Sequence, residues 1–468
     1  MKKLQKIAVS FVLMANVLSA QGQKGGGAVP CPQKQKECCS PGQASCCRME
    51  ASPYLVYKLG KEKAAGFSPV PGTGSFLRIF GVVKLTTMYD LHAAKEGYTS
   101  DYCMSQKILQ PGETSKRGEI RLHARESRFG LDGLTFLRMA DCGEVMFKTF
   151  ADVDFLGSDR TEESLFTPLA LRVRCARMSF DFGSWILLCG QSFSTFNYGD
   201  LSDPEILDNS GPGGYVGGGR RPQVRVSYKS SWWLVDCALE NPEGEYINKN
   251  GETKFAGRVS GSYYASDQLP DVVFAFQGNS EKAEGRLYAM GRKIRLMKAD
   301  SSPDIVKYGW GVGLSAGYRY CGSSTVYFQG GGGQGIGRYL PEASGYALYL
   351  DDQNKAHTMT AFGGLVGIRH HWSETWKVRS SLVFGLTGIV PHGELVSHSY
   401  LSDGTTKYAD ITKQVRSIMV NTFFSPFGPG IDIGIGYLRG ERVLKVHSGP
   451  NKGSVDRFII TIKGAISS

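Results

Sequence analysis

Apolar and polar side chains alternate with period two along most of this chain. Asp432, Ile433, Gly434, Ile435, Gly436 and Tyr437 show the pattern, and so do Trp376, Lys377, Val378, Arg379, Ser380, Ser381 and Leu382. A segment with Val, Ile, Leu and aromatics on one face and charge on the other is a strand with water on one side only. The alternation recurs over residues 75–468 and follows a secretion signal. Together these predict an all-β chain that forms a transmembrane antiparallel barrel of about sixteen strands, whose charged face lines a wet interior.

Lys2, Lys3 and Lys6 precede an apolar run from Ile7 to Leu18, followed by Ser19 and Ala20. Residues 1–20 therefore read as a secretory signal, too short to span a membrane as a helix. No later stretch is long and apolar enough for a spanning helix, so the exported product is soluble or a barrel. The composition favours the barrel, with 60 Gly, 11% aromatics and only 19 Pro in 468 residues. The formal net charge is +11. Export argues against nucleic acid as the partner and favours small anionic solutes, outer-membrane lipid and lipopolysaccharide.

Residues 21–74 read as a Cys-rich periplasmic extension without an apolar core. The barrel is expected over 75–468. Strands are predicted at 75–90, 118–132, 143–155, 168–180, 184–194, 222–228, 231–240, 255–265 and 270–278. They continue at 308–320, 324–337, 357–372, 375–389, 415–425, 430–441 and 454–466, with 284–297 as an alternative strand within a long connection. Tight and long connections alternate, as in outer-membrane barrels whose short turns are periplasmic.

A charge at the membrane midplane costs roughly 2–4 kcal/mol, so the alternating cations must face inward. Strand parity assigns Arg78, Lys84, Arg172, Arg174, Arg225, Lys377 and Arg379 to the pore wall. Arg121, Arg125 and Arg128 join them across a phase slip near Glu126 that predicts a bulge. The long loop 195–221 carries Asp200, Asp203, Glu205 and Asp208, then Arg220 and Arg221. Folded into the interior, it would set acids against an arginine wall and form an anion-biased constriction.

There are 11 cysteines. Cys31, Cys38, Cys39, Cys46 and Cys47 form paired clusters whose spacing does not suit zinc, and an oxidising compartment favours disulfides. Cys142 and Cys321 fall in predicted periplasmic turns and could join them. Cys175 and Cys237 share faces with Val and Leu and read as lipid-facing. The run from Gly313 to Gly317 matches a nucleophile-elbow pattern but lies inside a predicted strand, without the strand–turn–helix context that the motif needs. No Ser-His-carboxylate set is placed for catalysis, and no cofactor or metal is implied.

Ser127-Arg128-Phe129-Gly130, Leu171-Arg172-Val173-Arg174, and the segments 190–196, 203–208 and 221–225 resemble, in order and spacing, motifs of the DcaP-like porins. So do 335–339 and 420–426. The resemblance covers roughly 75–468. It implies a homotrimer of sixteen-stranded barrels that passes small organic anions such as dicarboxylates, with Arg128, Arg172, Arg174 and Arg225 among the lumenal arginines. Two features depart from that family: the chain ends Ile466-Ser467-Ser468 rather than on an aromatic, and the extension is Cys-rich rather than helical. The expected function is a porin. The alternative is a structural envelope protein cross-linked by disulfides to other Cys-rich proteins.

Overall fold

The computed structural model describes 66–92, 117–139, 143–157, 171–196, 202–207, 211–217, 219–248, 253–255, 263–298, 303–351, 353–373, 377–393, 399–402, 405–408, 411–427, 430–445 and 451–467. Within these residues, sixteen strands close into one antiparallel barrel. They are β1 (Ser75–His92), β2 (Arg117–His123, resumed as Arg128–Met139), β3 (Gly143–Asp154), β4 (Arg172–Asp181), β5 (Trp185–Phe193), β6 (Arg220–Lys229), β7 (Trp233–Glu240) and β8 (Asp271–Asn279). Next come β9 (Ala283–Lys298), β10 (Ile305–Cys321), β11 (Ser324–Gln334), β12 (Thr360–Ser373), β13 (Val378–Val390), β14 (Thr412–Phe424), β15 (Ile431–Leu444) and β16 (Lys452–Ser467). Each pairs with the next, and β16 returns to β1, where Lys84 faces Lys463. Closure removes the sheet edges, whose unpaired backbone groups lipid cannot solvate.

One predicted strand is replaced by another. Of the described residues in the predicted strand 255–265, Tyr263–Ala265 pairs as a short piece against β9, and Phe255 pairs with Glu245 in a separate small sheet. The alternative segment 284–297 is the wall strand β9. Its inward residues Tyr288, Met290, Ile294 and Leu296 are buried against folded-in loops, so it lacks a simple polar inner face.

The outer surface carries the apolar face. Ile79, Val83, Leu85, Phe274, Val312, Leu314, Phe384 and Ile460 are exposed. Aromatics ring both ends: Trp185, Trp232, Tyr318, Tyr320, Trp372 and Phe427 near the short turns, and Tyr89, Tyr308 and Trp310 toward the long loops. Such girdles mark the two membrane–water interfaces.

Two bulges reset the inward phase. Val82 pairs with Arg128 and Thr86 with His123, so residues 83–85 of β1 face 124–127 of β2, one residue more. This is the predicted slip near Glu126. The second bulge was not foreseen. Asp152 pairs with Cys175 and Val153 with Val173, which leaves Arg174 as the extra residue of β4. Cys175 is therefore turned inward and buried, not lipid-facing, while Cys237 is exposed on the outer face as expected.

The long-loop half of the interior is packed. Gly337–Tyr339 and Pro341–Ala343 form two 3₁₀ turns inside the barrel. Phe196, Val216, Tyr339, Leu340 and Ile389 belong to one apolar core there. A small sheet of Glu245–Asn248, Thr253–Phe255, Leu348–Leu350 and Ala356–Thr358 adds to this layer.

Glu245 lies buried in this loop layer, where desolvation raises its pKa to about 7, offset in part by backbone N–H groups of Gly345 and Arg338 and by Arg292 and Arg221. A carboxyl whose folded pKa is raised contributes most below its unfolded value and loses that contribution as pH rises through the folded one. The loop packing is thus expected to weaken between about pH 4.5 and 7, by roughly 3 kcal/mol at full ionisation. Glu245→Gln should flatten this dependence in thermal unfolding followed across that range. An unchanged pH profile would refute the assignment.

Candidate functional site: an arginine wall and an inward loop

The loop between β5 and β6 crosses the barrel interior. Its neck is tied by Ser194 N–H donating to Gly219 O at 3.0 Å, and by Ser194 Oγ and Thr195 N–H donating to Glu240. Its far side rests on the opposite wall. Gln329 Nε2 donates to Ser202 O at 3.2 Å and Asn421 Nδ2 to Glu205 O at 2.9 Å. On the return, Gly213 N–H donates to Ser417 Oγ at 2.8 Å and Val216 N–H to Gln329 Oε1 at 3.1 Å.

Glycines make this seat. A Cβ on Gly385 would lie 1.6 Å from Gly213 O, and one on Gly434 or Gly436 would lie 2.2 Å from Leu207. Gly214, at φ +96°, sits against Gly364 O. Leu207 is buried with Met88, Phe423 and Ile459. Several glycines of β12, β13 and β15 thus have a local cause: the loop backbone lies directly on Gly364 and Gly385, and the Leu207 side chain on Gly434 and Gly436.

Facing the loop is a cavity of about 650 Å³. Its basic lining is Lys84, Arg128, Arg174, Arg177, Arg220 and Lys463, and its acidic lining is Glu126, Asp152, Asp203 and Glu205. Not all of these charges are available to a solute. Arg174 is held by Asp152 and Asp154 at 2.9 Å each, and Arg172 is held by Asp154 at 2.6 Å. Lys84 pairs with Glu126, and Lys463 with Asp432 at 2.9 Å. Arg177 donates to Ser192 Oγ at 2.7 Å and lies over the Phe150 ring. Arg128 and Arg220 have no ion pair among the described residues; Arg220 stacks on Phe193, 4.7 Å from its centroid. The wall therefore presents two guanidinium groups that make no ion pair among the described residues.

On the short-turn side of this cavity, Glu205 is clamped by Arg379, with Nε donating at 2.8 Å and Nη2 lying 2.7 Å from Oε1. Arg379 also reaches Asp432 at 3.2 Å and covers the Phe423 ring. Glu205 borders both this cavity and a second one of about 400 Å³ at the short-turn end.

The other expected residues lie as follows. Arg78 faces inward near the short turns and binds Asp132 at 2.6 Å. Arg121 faces inward on β2 and pairs with Glu119 at 2.7 Å. Arg125 is buried in the β2 bulge, and Arg225 faces inward on β6. Lys377, expected on the wall, sits exposed in the turn before β13 with φ 45°, one residue short of the strand. Arg220 and Arg221 were expected on the constriction loop. Instead Arg220 opens β6, and Arg221 follows it on that strand, 2% exposed, with its guanidinium 4.1 Å from the Tyr339 ring centroid, where it packs the loop layer. Asp200, Asp208, Cys31, Cys38, Cys39, Cys46, Cys47 and Cys142 lie outside the described residues. Cys321 is a free, exposed thiol beside the β10–β11 turn. Arg177 was missed because the β4 bulge flips the parity after Arg174. Ser315 lies mid-strand in β10, inside the elbow-like run.

A closed sixteen-strand barrel with a lipid-facing apolar belt and a loop laid across its interior defines an outer-membrane barrel of the porin type. The model of the DcaP outer membrane protein family matches residues 58–452, and the chain belongs to that family. The outer membrane channel DcaP of Acinetobacter baumannii has a similar fold, with TM-score 0.63 and 20% identity, over 84% of this chain and 98% of that one. Salmonella typhi OmpF in complex with daunomycin gives TM-score 0.49 at 8% identity, over 85% of this chain and 99% of that one. The trimer form of OmpT from Vibrio cholerae gives TM-score 0.47 at 8% identity, over 84% of this chain and 100% of that one. No curated protein matches the chain.

Proposed function

We propose that this protein is an exported outer-membrane porin, working as a homotrimer in lipid and lipopolysaccharide, that passes small organic anions such as dicarboxylates by diffusion. The observation that carries the reading is the pair Arg128 and Arg220, two cations that make no ion pair among the described residues, lining a cavity together with the acidic loop segment Asp203–Glu205. Charges of opposite sign across a narrow wet gap create a transverse field that orients an elongated anion. The paired arginines hold the wall rigid, and the unpaired ones meet the solute.

A planar-bilayer recording under a potassium chloride gradient tests this. The expected reversal potential has the sign of anion preference. Absence of conductance, or a strong cation preference, would sink it.

The cross-linked envelope reading is favoured by one observation, the free and exposed Cys321 thiol at the short-turn end of the barrel. Extracts run on non-reducing gels should then show oligomers that reductant dissolves. Monomers without reductant would argue against it.

A further inference from the structure

The smaller cavity at the short-turn end has its own chemistry. Arg319, Arg369, His371 and Arg379 line it, with Gly322, Ser323, Thr325 and Glu205. Arg379 is engaged by Glu205 and Asp432. Arg369 has neither an ion pair nor a hydrogen bond among the described residues, although it faces inward on β12. Arg319 makes one bond, Nη1 donating to Glu281 O at 2.9 Å, and no ion pair. Two guanidinium groups thus look into a space of about 400 Å³ without an ion pair to either among the described residues.

We propose that the short-turn mouth holds a second oxyanion station, built from Arg319 and Arg369 and divided from the larger cavity by the Glu205–Arg379 bridge. It deepens the reading above, since it takes the same class of solute, a small soluble oxyanion. Guanidinium groups bind such anions through paired N–H donors, and two of them side by side suit a carboxylate or phosphate. Ser323 and Thr325 border the same space and bring hydroxyl groups to it. The Glu205 carboxylate already shows the geometry of such a contact on Arg379. An anion passing between the two cavities exchanges with Glu205 at that bridge. The interior then works as two basic wells separated by one displaceable acid, an arrangement that binds without trapping.

The test is side-specific block of single channels of the exported protein by citrate, added to one compartment and then to the other. Wild type should be blocked from both sides, because an anion entering from either end meets an arginine pair first. Arg319→Gln/Arg369→Gln should weaken block from one side by about tenfold, the factor that 1.4 kcal/mol represents, and leave the other side unchanged. Arg128→Gln/Arg220→Gln should do the reverse. Arg369→Gln alone removes no ion pair or hydrogen bond among the described residues, so it keeps the test valid if changes at Arg319 impair assembly.

Equal block constants for wild type and Arg369→Gln from both sides, in a channel that remains anion-selective, would overturn the second station and leave the larger cavity's role standing. A cation-selective wild type would instead overturn the anion-channel reading, while one-sided loss of citrate block in Arg369→Gln would still report the station.

Discussion

Replacing Arg128 and Arg220 together with glutamate is expected to turn the channel from anion-preferring to cation-preferring. Each reversal changes the cavity charge by two units, and these two cations carry no ion pair among the described residues. At about 6 Å, one unit charge acts on an ion with roughly 0.7 kcal/mol in water and roughly 3 kcal/mol at an effective dielectric of 20. Both reversals together should therefore shift relative ion occupancy by at least about tenfold. The effect should fade toward molar salt, where the Debye length falls to about 3 Å. Reversal potentials at low and high salt measure both parts. A double variant that keeps wild-type selectivity at low salt would remove these residues from the conduction path. Arg172 and Arg174 are poorer targets. Glutamates there would stand against Asp152 and Asp154, and unpaired buried acids of one sign cost several kcal/mol. That substitution should block assembly rather than report selectivity.

The second large effect concerns the loop seat. Gly385→Val should expel the inward loop, because even its first added carbon would stand 1.6 Å from Gly213 O and 2.7 Å from the same carbonyl carbon. The obstacle is backbone rather than a flexible side chain, so either the loop or the wall must move. The bond from Gly213 N–H to Ser417 Oγ and the Gly214 contact would be lost with it. Conductance is expected to rise severalfold as the constriction opens. Thermal stability should fall by about 1–3 kcal/mol, the usual range for overpacking. Gly278→Val is the control, since a Cβ there meets nothing within 4 Å. Unchanged conductance in Gly385→Val, with the protein assembled, would show that the loop does not set the pore's width.

Much of the wall was legible from alternation, because inward and outward are fixed by neighbours two residues apart. The β2 slip could be read near Glu126 for the same reason: the pattern itself shifts there. The exchange of 255–265 for β9 was not legible. β9 buries Tyr288, Met290, Ile294 and Leu296 against loops inside the barrel, in phase with Arg286 and Arg292, so its inner face mixes apolar and basic residues where the rule expects a polar one. Cys175 and Arg177 were misplaced or missed because a bulge is a fact of pairing with β3, not of the β4 sequence. Arg221 looks like Arg220 in sequence. Tyr339, which lies more than a hundred residues away, is what buries it.

The sequence by itself determined that this chain is a barrel with a greasy outside and a charged inside, since one-sided alternation has no other stable use in lipid. Which arginines remain open to a solute was decided only by tertiary structure. Asp152 and Asp154 claim Arg172 and Arg174 across a strand pair, while Arg128, Arg220 and Arg369 make no ion pair among the described residues. Ion pairing depends on what closure of the barrel and folding of the loop bring within a few ångströms, and no local pattern carries that information.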